Sequence, residues 1–307
     1  MPRIPFDPTN VSLTKPGLRE TVFQDERYRR AGLDALCAEC ARLAYVDFDV
    51  VPGPGMRRLT EALALVGCAA PTPIIDTRTG TQAYATVTKE GRVLVSFRGT
   101  QAFASLGDAV RAILSSREAQ PDEIKDLLRD ANAWLVPWTP GGQVHKGFAE
   151  GFGAVSAQVK AELHRATSSL PPIFTGHSLG AALATLAASE VKGATLVTFG
   201  SPRVGDASFV ATLDSTAIRR YVDCSDIVTK VPPALPGFYT HCDGELLYID
   251  RNGDVRRDAS TAGKFVDQVS ASVAYFARYA FRKGNVVLRS LANHSPINYI
   301  RAFTSEP

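Results

Sequence analysis

The sequence has no apolar run of 18 or more residues, so no segment is expected to cross a membrane as a helix. It has no block of basic charge either. Thirty-four lysines and arginines stand against 31 acids, a net charge of +3. Nucleic-acid binding, which concentrates cations in a stripe or block, is not expected. Cysteine is scarce and odd in number, five in 307 residues, which is no disulfide framework. The first ten residues, MPRIPFDPTN, lack a charged stretch followed by an apolar one, so no secretory signal is visible. A reducing, cytoplasmic compartment is expected ahead of secretion. Cys37 and Cys40 form a C-x-x-C pair, but a zinc site needs two more ligands and no second pair exists. No metal and no cofactor are expected. Repeats, low-complexity tracts and linkers are also missing, which argues for one domain over residues 1–307.

What is present can bury a full core: 45% of residues are hydrophobic and 21% charged. The pattern predicts helices over 28–45 and 56–65. Two β-branched runs over 83–97, joined at Glu90-Gly91, predict a hairpin. Residues 101–143 predict a helical insertion. One stripe holds Leu106, Val110, Ile113 and Leu114; after Pro121 a second holds Ile124, Leu127, Leu128 and Ala131. From residue 144 strands and helices alternate: a helix over 152–168, a strand over 172–175, a helix over 179–191, strands over 194–199 and 218–222. That alternation argues for an α/β fold with a mostly parallel sheet flanked by helices. A late hairpin is expected at 245–250 with Asn252-Gly253, and a further helical segment over 251–293. There Val266, Val269, Val273, Phe276 and Ala280 make an apolar stripe. It is expected to pack on the sheet; a membrane-surface helix, favoured by Arg278, Arg282 and Lys283, is the alternative.

The chemistry is carried by Gly176-His177-Ser178-Leu179-Gly180, a G-x-S-x-G pattern. It follows an apolar run and opens a helix of alanines, as a nucleophile elbow requires. The flanking Gly176 and Gly180 suit a tight, strained turn. Serine needs a base to take its proton. In this arrangement acid and histidine follow the serine, and only His241 and His294 lie downstream.

Six segments in order resemble the class 3 lipase family: Ser96-Phe97-Arg98-Gly99-Thr100, Val144-His145-Lys146-Gly147-Phe148, the elbow, the stretch Thr198 to Asp206, Asp226-Ile227-Val228 with Pro232-Pro233, and His294 with Tyr299. The resemblance covers about 83–300. It implies a single α/β-hydrolase domain with a helical lid or cap at 101–143. It also implies a serine carboxylic-ester hydrolase acting on acyl esters such as triacylglycerols, at a lipid–water interface or in solution. Ser178 would be the nucleophile, His294 the base and Asp226 the acid. Asp223 is the rival acid, and Asp206 a third candidate with a loop-fixing role. The N–H of Leu179 and Thr100 would form the oxyanion hole. His145 is expected to be structural and His241 a hydrogen-bonded core residue. Trp134 and Trp138, the only tryptophans, are expected near acyl chain or interface. Cys224 and Cys242 flank the expected acid and His241 segments, and a disulfide between them stays open. Asn293-His294-Ser295 is a glycosylation sequon expected to be unused. The alternatives are a short-chain or aryl esterase, a phospholipase A1, and a non-catalytic lipid-binding protein on the same fold. A histidine base implies activity that falls as pH drops through the imidazole range, about 6.5.

Overall fold

The computed structural model describes residues 4–9, 32–48, 53–99, 134–166, 168–234, 238–286 and 288–304. Thr100, both helical stripes expected between 101 and 133, and residues 28–31 of the first expected helix lie outside them.

The centre is an eight-stranded sheet built from β1 (Thr72–Asp76), β2 (Thr81–Val87), β3 (Val93–Phe97), β6 (Ile173–His177), β7 (Thr195–Phe199), β8 (Ala217–Asp223), β9 (Glu245–Ile249) and β10 (Val255–Arg256), in that spatial order. The run β3-β6-β7-β8-β9 is parallel, and β1, β2 and β10 are antiparallel edges. Strand residues alternate between two cores, as the period of two demands. Leu94, Ile173 and Val197 face α1 (Gly32–Leu43) and α2 (Pro54–Leu65). Val95, Phe174 and Leu196 face α3 (Lys146–Arg165) and α4 (Leu179–Ser189). Both faces are covered, so the parallel strands are continuous apolar runs. A short α5 (Ala207–Ala211) follows β7. Beyond β10 come α6 (Thr261–Arg278), α7 (Arg289–Ala292) and α8 (Pro296–Ile300).

Three expectations are corrected. First, α3 begins six residues before 152. The His145 side chain accepts from the Gly147 N–H at 3.1 Å and caps a helix whose early glycines mimic a loop. Second, the helical insertion does not extend to 143. Within its described end, β4 (Leu135–Pro137) and β5 (Gln143–His145) form an antiparallel pair. Gly142 closes that hairpin at φ +72°, where a Cβ would lie 2.1 Å from the Phe209 nitrogen. Trp138 sits in this hairpin and packs inward: its indole donates to Ser189 Oγ at 3.0 Å and meets Phe152 edge-on. Trp134 is 48% exposed. Third, the apolar stripe of α6 does not pack on the sheet. The helix turns Ala271 and Tyr275 inward and leaves Val266, Val269, Val273 and Phe276 in solvent. A helix supplies a stripe; the partner of that stripe depends on what stands opposite, and the periodicity carries no information about that.

Candidate active site

Ser178 stands between β6 and α4, at the C-terminal edge of the parallel strands. Its φ of +60° and ψ of −128° are rare for a residue with a Cβ. The turn is held by close backbone approach. A Cβ on Gly176 would lie 2.3 Å from the Gly180 carbonyl, and one on Gly180 would lie 2.1 Å from the Phe97 oxygen. These glycines therefore press α4 onto β6 and onto the end of β3. Small residues such as Ala181, Ala182 and Ala184, all fully buried, continue that close packing.

The histidine and the acid come from two further segments. Asp226 lies just beyond β8, and His294 lies between α7 and α8. His294 Nε2 is 2.8 Å from Ser178 Oγ, and Nδ1 is 2.9 Å and 3.0 Å from the two Asp226 oxygens. A carboxylate only accepts, so the imidazole proton sits on Nδ1 and Nε2 is free to accept from the serine hydroxyl. Asp226 is fully buried and is held from two sides. Val228 N–H donates to Oδ1 at 2.9 Å, and the Tyr299 hydroxyl donates to Oδ2 at 2.5 Å. The same hydroxyl accepts from the Asp223 N–H at 3.2 Å. Asp223 itself lies behind this group. Burial, its largest influence, pushes its carboxyl up to about 7, against the pull of Arg301 and Arg289. Asp206 caps α5, accepting from Phe209 N–H at 2.8 Å, and ties Gln143 to that cap at 3.1 Å.

Two residues that sequence reasoning missed complete the floor. Gly200 has φ +61°, and a Cβ there would lie 2.8 Å from Asp226 Oδ2 and 3.1 Å from His294 Cε1. Its signal was present in Phe199-Gly200-Ser201 but pointed only to a loop. Tyr45, buried after α1, places its hydroxyl 2.7 Å from His177 Nδ1. No local pattern marks it. The His177 ring lies 4.5 Å from the His294 ring, and burial followed by the nearby His294 holds His177 well below the usual imidazole range. A neutral ring thus underlies the site.

The remaining expected residues are placed as follows. Leu179 is the first residue of α4, so its N–H has no partner within the helix, as the expected oxyanion role requires. Thr100 lies outside the described residues; the chain up to Gly99 is packed against the elbow, where a Cβ on Gly99 would lie 2.7 Å from the His177 carbonyl. His145 stacks on Phe148 at 4.1 Å, and burial lowers it to about 4. His241 Nε2 bonds the Thr229 carbonyl at 2.8 Å. Cys224 and Cys242 are both free, and Asn293 is fully buried, where a glycan has no room. Cys37 and Cys40 are free and buried in α1, and burial raises both thiols.

Comparison with known proteins agrees with this geometry. The sequence model of the lipase (class 3) family matches residues 94–235. Phospholipase A(1) DAD1 of Arabidopsis thaliana is 28% identical over 265 residues, covering 74% of this chain and 57% of that protein. A Rhizomucor miehei lipase is 33% identical over 169 residues, covering 50% of this chain and 46% of that protein. The chain thus spans about half the length of these relatives. The solved lipase from Rhizopus microsporus var. chinensis shares the fold at a TM-score of 0.52 and 22% identity, over 81% of this chain and 82% of that one. Over residues 94–235, which include the elbow and Asp226, this chain is similar to the class 3 lipase family.

Proposed function

We propose that the protein is a serine carboxylic-ester hydrolase of lipase type, working through an acyl-enzyme on Ser178. The observation that carries this is the continuous chain Ser178 Oγ, His294 Nε2, His294 Nδ1, Asp226, with contacts of 2.8 and 2.9 Å. In the first half-reaction Ser178 Oγ attacks the ester carbonyl carbon and its proton passes to His294 Nε2. The carbonyl oxygen becomes an oxyanion, received by the Leu179 N–H and, in the family reading, by Thr100. His294 then gives its proton to the departing alcohol oxygen, and the carbon–oxygen bond breaks. In the second half water repeats the attack, losing a proton to His294, and Ser178 leaves protonated. Asp226 keeps the imidazole oriented and stabilises its charged form.

Long acyl esters, triacylglycerols first, are the favoured substrates. Phospholipase A1 action is the second reading, favoured by the length over which the Arabidopsis relative matches. The test is hydrolysis of p-nitrophenyl esters from acetyl to palmitoyl, and of a phospholipid, by the wild type and Ser178→Ala. The variant is expected to lose at least about a thousandfold in kcat. Wild-type preference for long chains supports the lipase reading, and preference for short ones makes the protein an esterase. Equal rates from both proteins would remove Ser178 from the chemistry and leave a lipid-binding role.

A further inference from the structure

Helix α6 is amphipathic with the wrong side out. Among the described residues, eleven large apolar side chains are exposed, and six of them lie in one stretch: Phe265, Val266, Val269, Val273, Phe276 and Phe281. At about 100° per residue the first five fall within roughly a third of the helix circumference. The opposite side is stitched to the body. Asp267 accepts from the Tyr248 hydroxyl at 2.8 Å and the Arg251 N–H at 3.0 Å. Gln268 donates to the Cys224 carbonyl at 2.9 Å, and Arg289 to the Ala271 carbonyl at 3.4 Å. The helix is therefore fixed in orientation, and its apolar face cannot roll inward.

Charge and place identify what that face meets. Over residues 261–286 the charged side chains are Lys264, Asp267, Arg278, Arg282 and Lys283. The one acid is bonded on the body side, while Arg282 and Lys283, just past the helix, are exposed next to Phe281, which meets Phe276 edge-on. Rings and aliphatic side chains rimmed by cations suit the headgroup level of an anionic lipid surface. The inner contacts of α6 are to Cys224, two residues before Asp226, and to Arg251, just past β9. The helix thus rides on the same edge of the sheet as Ser178.

We propose that α6 is an interfacial docking element, which seats the catalytic edge of the molecule on an anionic phospholipid surface. This rests on the ester-hydrolase reading and adds the physical form in which the substrate is met. The apolar face enters the acyl–headgroup boundary while Arg282 and Lys283 meet the lipid phosphates.

The test is sedimentation with phosphatidylcholine vesicles, with and without phosphatidylglycerol, at low and high salt. The wild type is expected to bind, to prefer the anionic vesicles, and to lose that preference in salt. The triple variant Val269→Ser, Val273→Ser, Phe276→Ser should bind at least about tenfold more weakly to both vesicle types. Reversal of both Arg282 and Lys283 to glutamate should remove the anionic preference, at about fivefold per charge. Both variants should keep wild-type rates on a dissolved short-chain ester and slow only on ester held in vesicles. Ser178→Ala should bind vesicles as the wild type does; if it also hydrolyses as the wild type does, the ester reading fails while the docking stands. Equal binding by wild type and triple serine variant overturns the inference. So does a wild-type dimer that the serines dissociate, since a second copy then covers the face. Wild-type binding that appears only after residues 104–132 are removed would give the face to that segment instead.

Discussion

At the scale of the residue, the site depends on a buried acid whose every contact has a job. Asp226 orients His294 and is itself oriented by Tyr299 and the Val228 N–H. Asp226→Asn keeps the volume but puts an amide donor where the imidazole needs an acceptor. Its kcat should fall by about four orders of magnitude with an intact fold, checked by single-turnover rates and circular dichroism. Tyr299→Phe removes one bond to the acid, leaves Val228 in place, and should cost roughly tenfold in kcat with little change in KM. Asp223 has a different consequence. Burial pushes its carboxyl up to about 7 in the fold, well above the usual carboxylate range. The folded state then holds a proton that the unfolded state lacks, and this group lowers stability as pH rises from about 4 to 7. Asp223→Asn should raise the melting temperature relative to wild type near pH 8, with the difference vanishing near pH 4.

At the scale of the element, α1 shows how a helix can be fully committed to the interior. Glu39 and Arg42, three apart on its inner side, have no exposed surface and bond each other, with Arg42 Nε 2.8 Å from Glu39 Oε2. Nothing in GLDALCAECARL distinguishes this pair from the solvent-facing pairs common on helices. Glu39→Ala leaves the guanidinium buried and should destabilise by about 3–5 kcal/mol, read from urea unfolding. The double change Glu39→Leu, Arg42→Met should recover much of that loss. The contrast with α6 is instructive: one helix hides its charges and the other shows its rings. In α6 the sequence spacing marked the stripe; in both helices the neighbouring elements decided which side faces inward.

At the scale of the whole molecule, three imidazoles are kept neutral by burial. His145 is lowered to about 4, His241 to about 2, and His177 well below its usual range. Below pH 6.5 the unfolded chain binds protons at these positions and the fold does not. Stability is therefore present in full above about 6.5 and falls as pH drops toward 4. Melting temperatures measured over that range should decline, and His241→Gln should flatten part of the slope, since its contact to Thr229 can be kept by an amide. The acid limit of activity then combines titration of the base with loss of the fold, which activity and melting curves on one pH series separate.

Much was legible before any coordinates. The glycines and serine of the elbow and the alternating strands and helices are local patterns, which local sterics and side-chain period demand. Gly176 and Gly180 are glycine because backbone passes within 2.3 Å of where their Cβ atoms would sit, and such a constraint leaves its mark in the chain. The rest is long-range. Asp226 stands apart from Asp223 and Asp206 only because β8 and the α7–α8 turn bring it against His294, 68 residues away. Tyr45 reaches His177 across 132 residues, and Gly200 serves the site by lacking a side chain. The outward face of α6 likewise follows from Asp267 and Gln268 gripping β8 and β9. Sequence alone determined the chemistry on offer and the turn that presents it. Tertiary structure supplied the contacts that set Asp226, the acid the family resemblance had named, apart from Asp223, and decided which apolar stripe meets the solvent, because both depend on contacts between segments far apart in the chain.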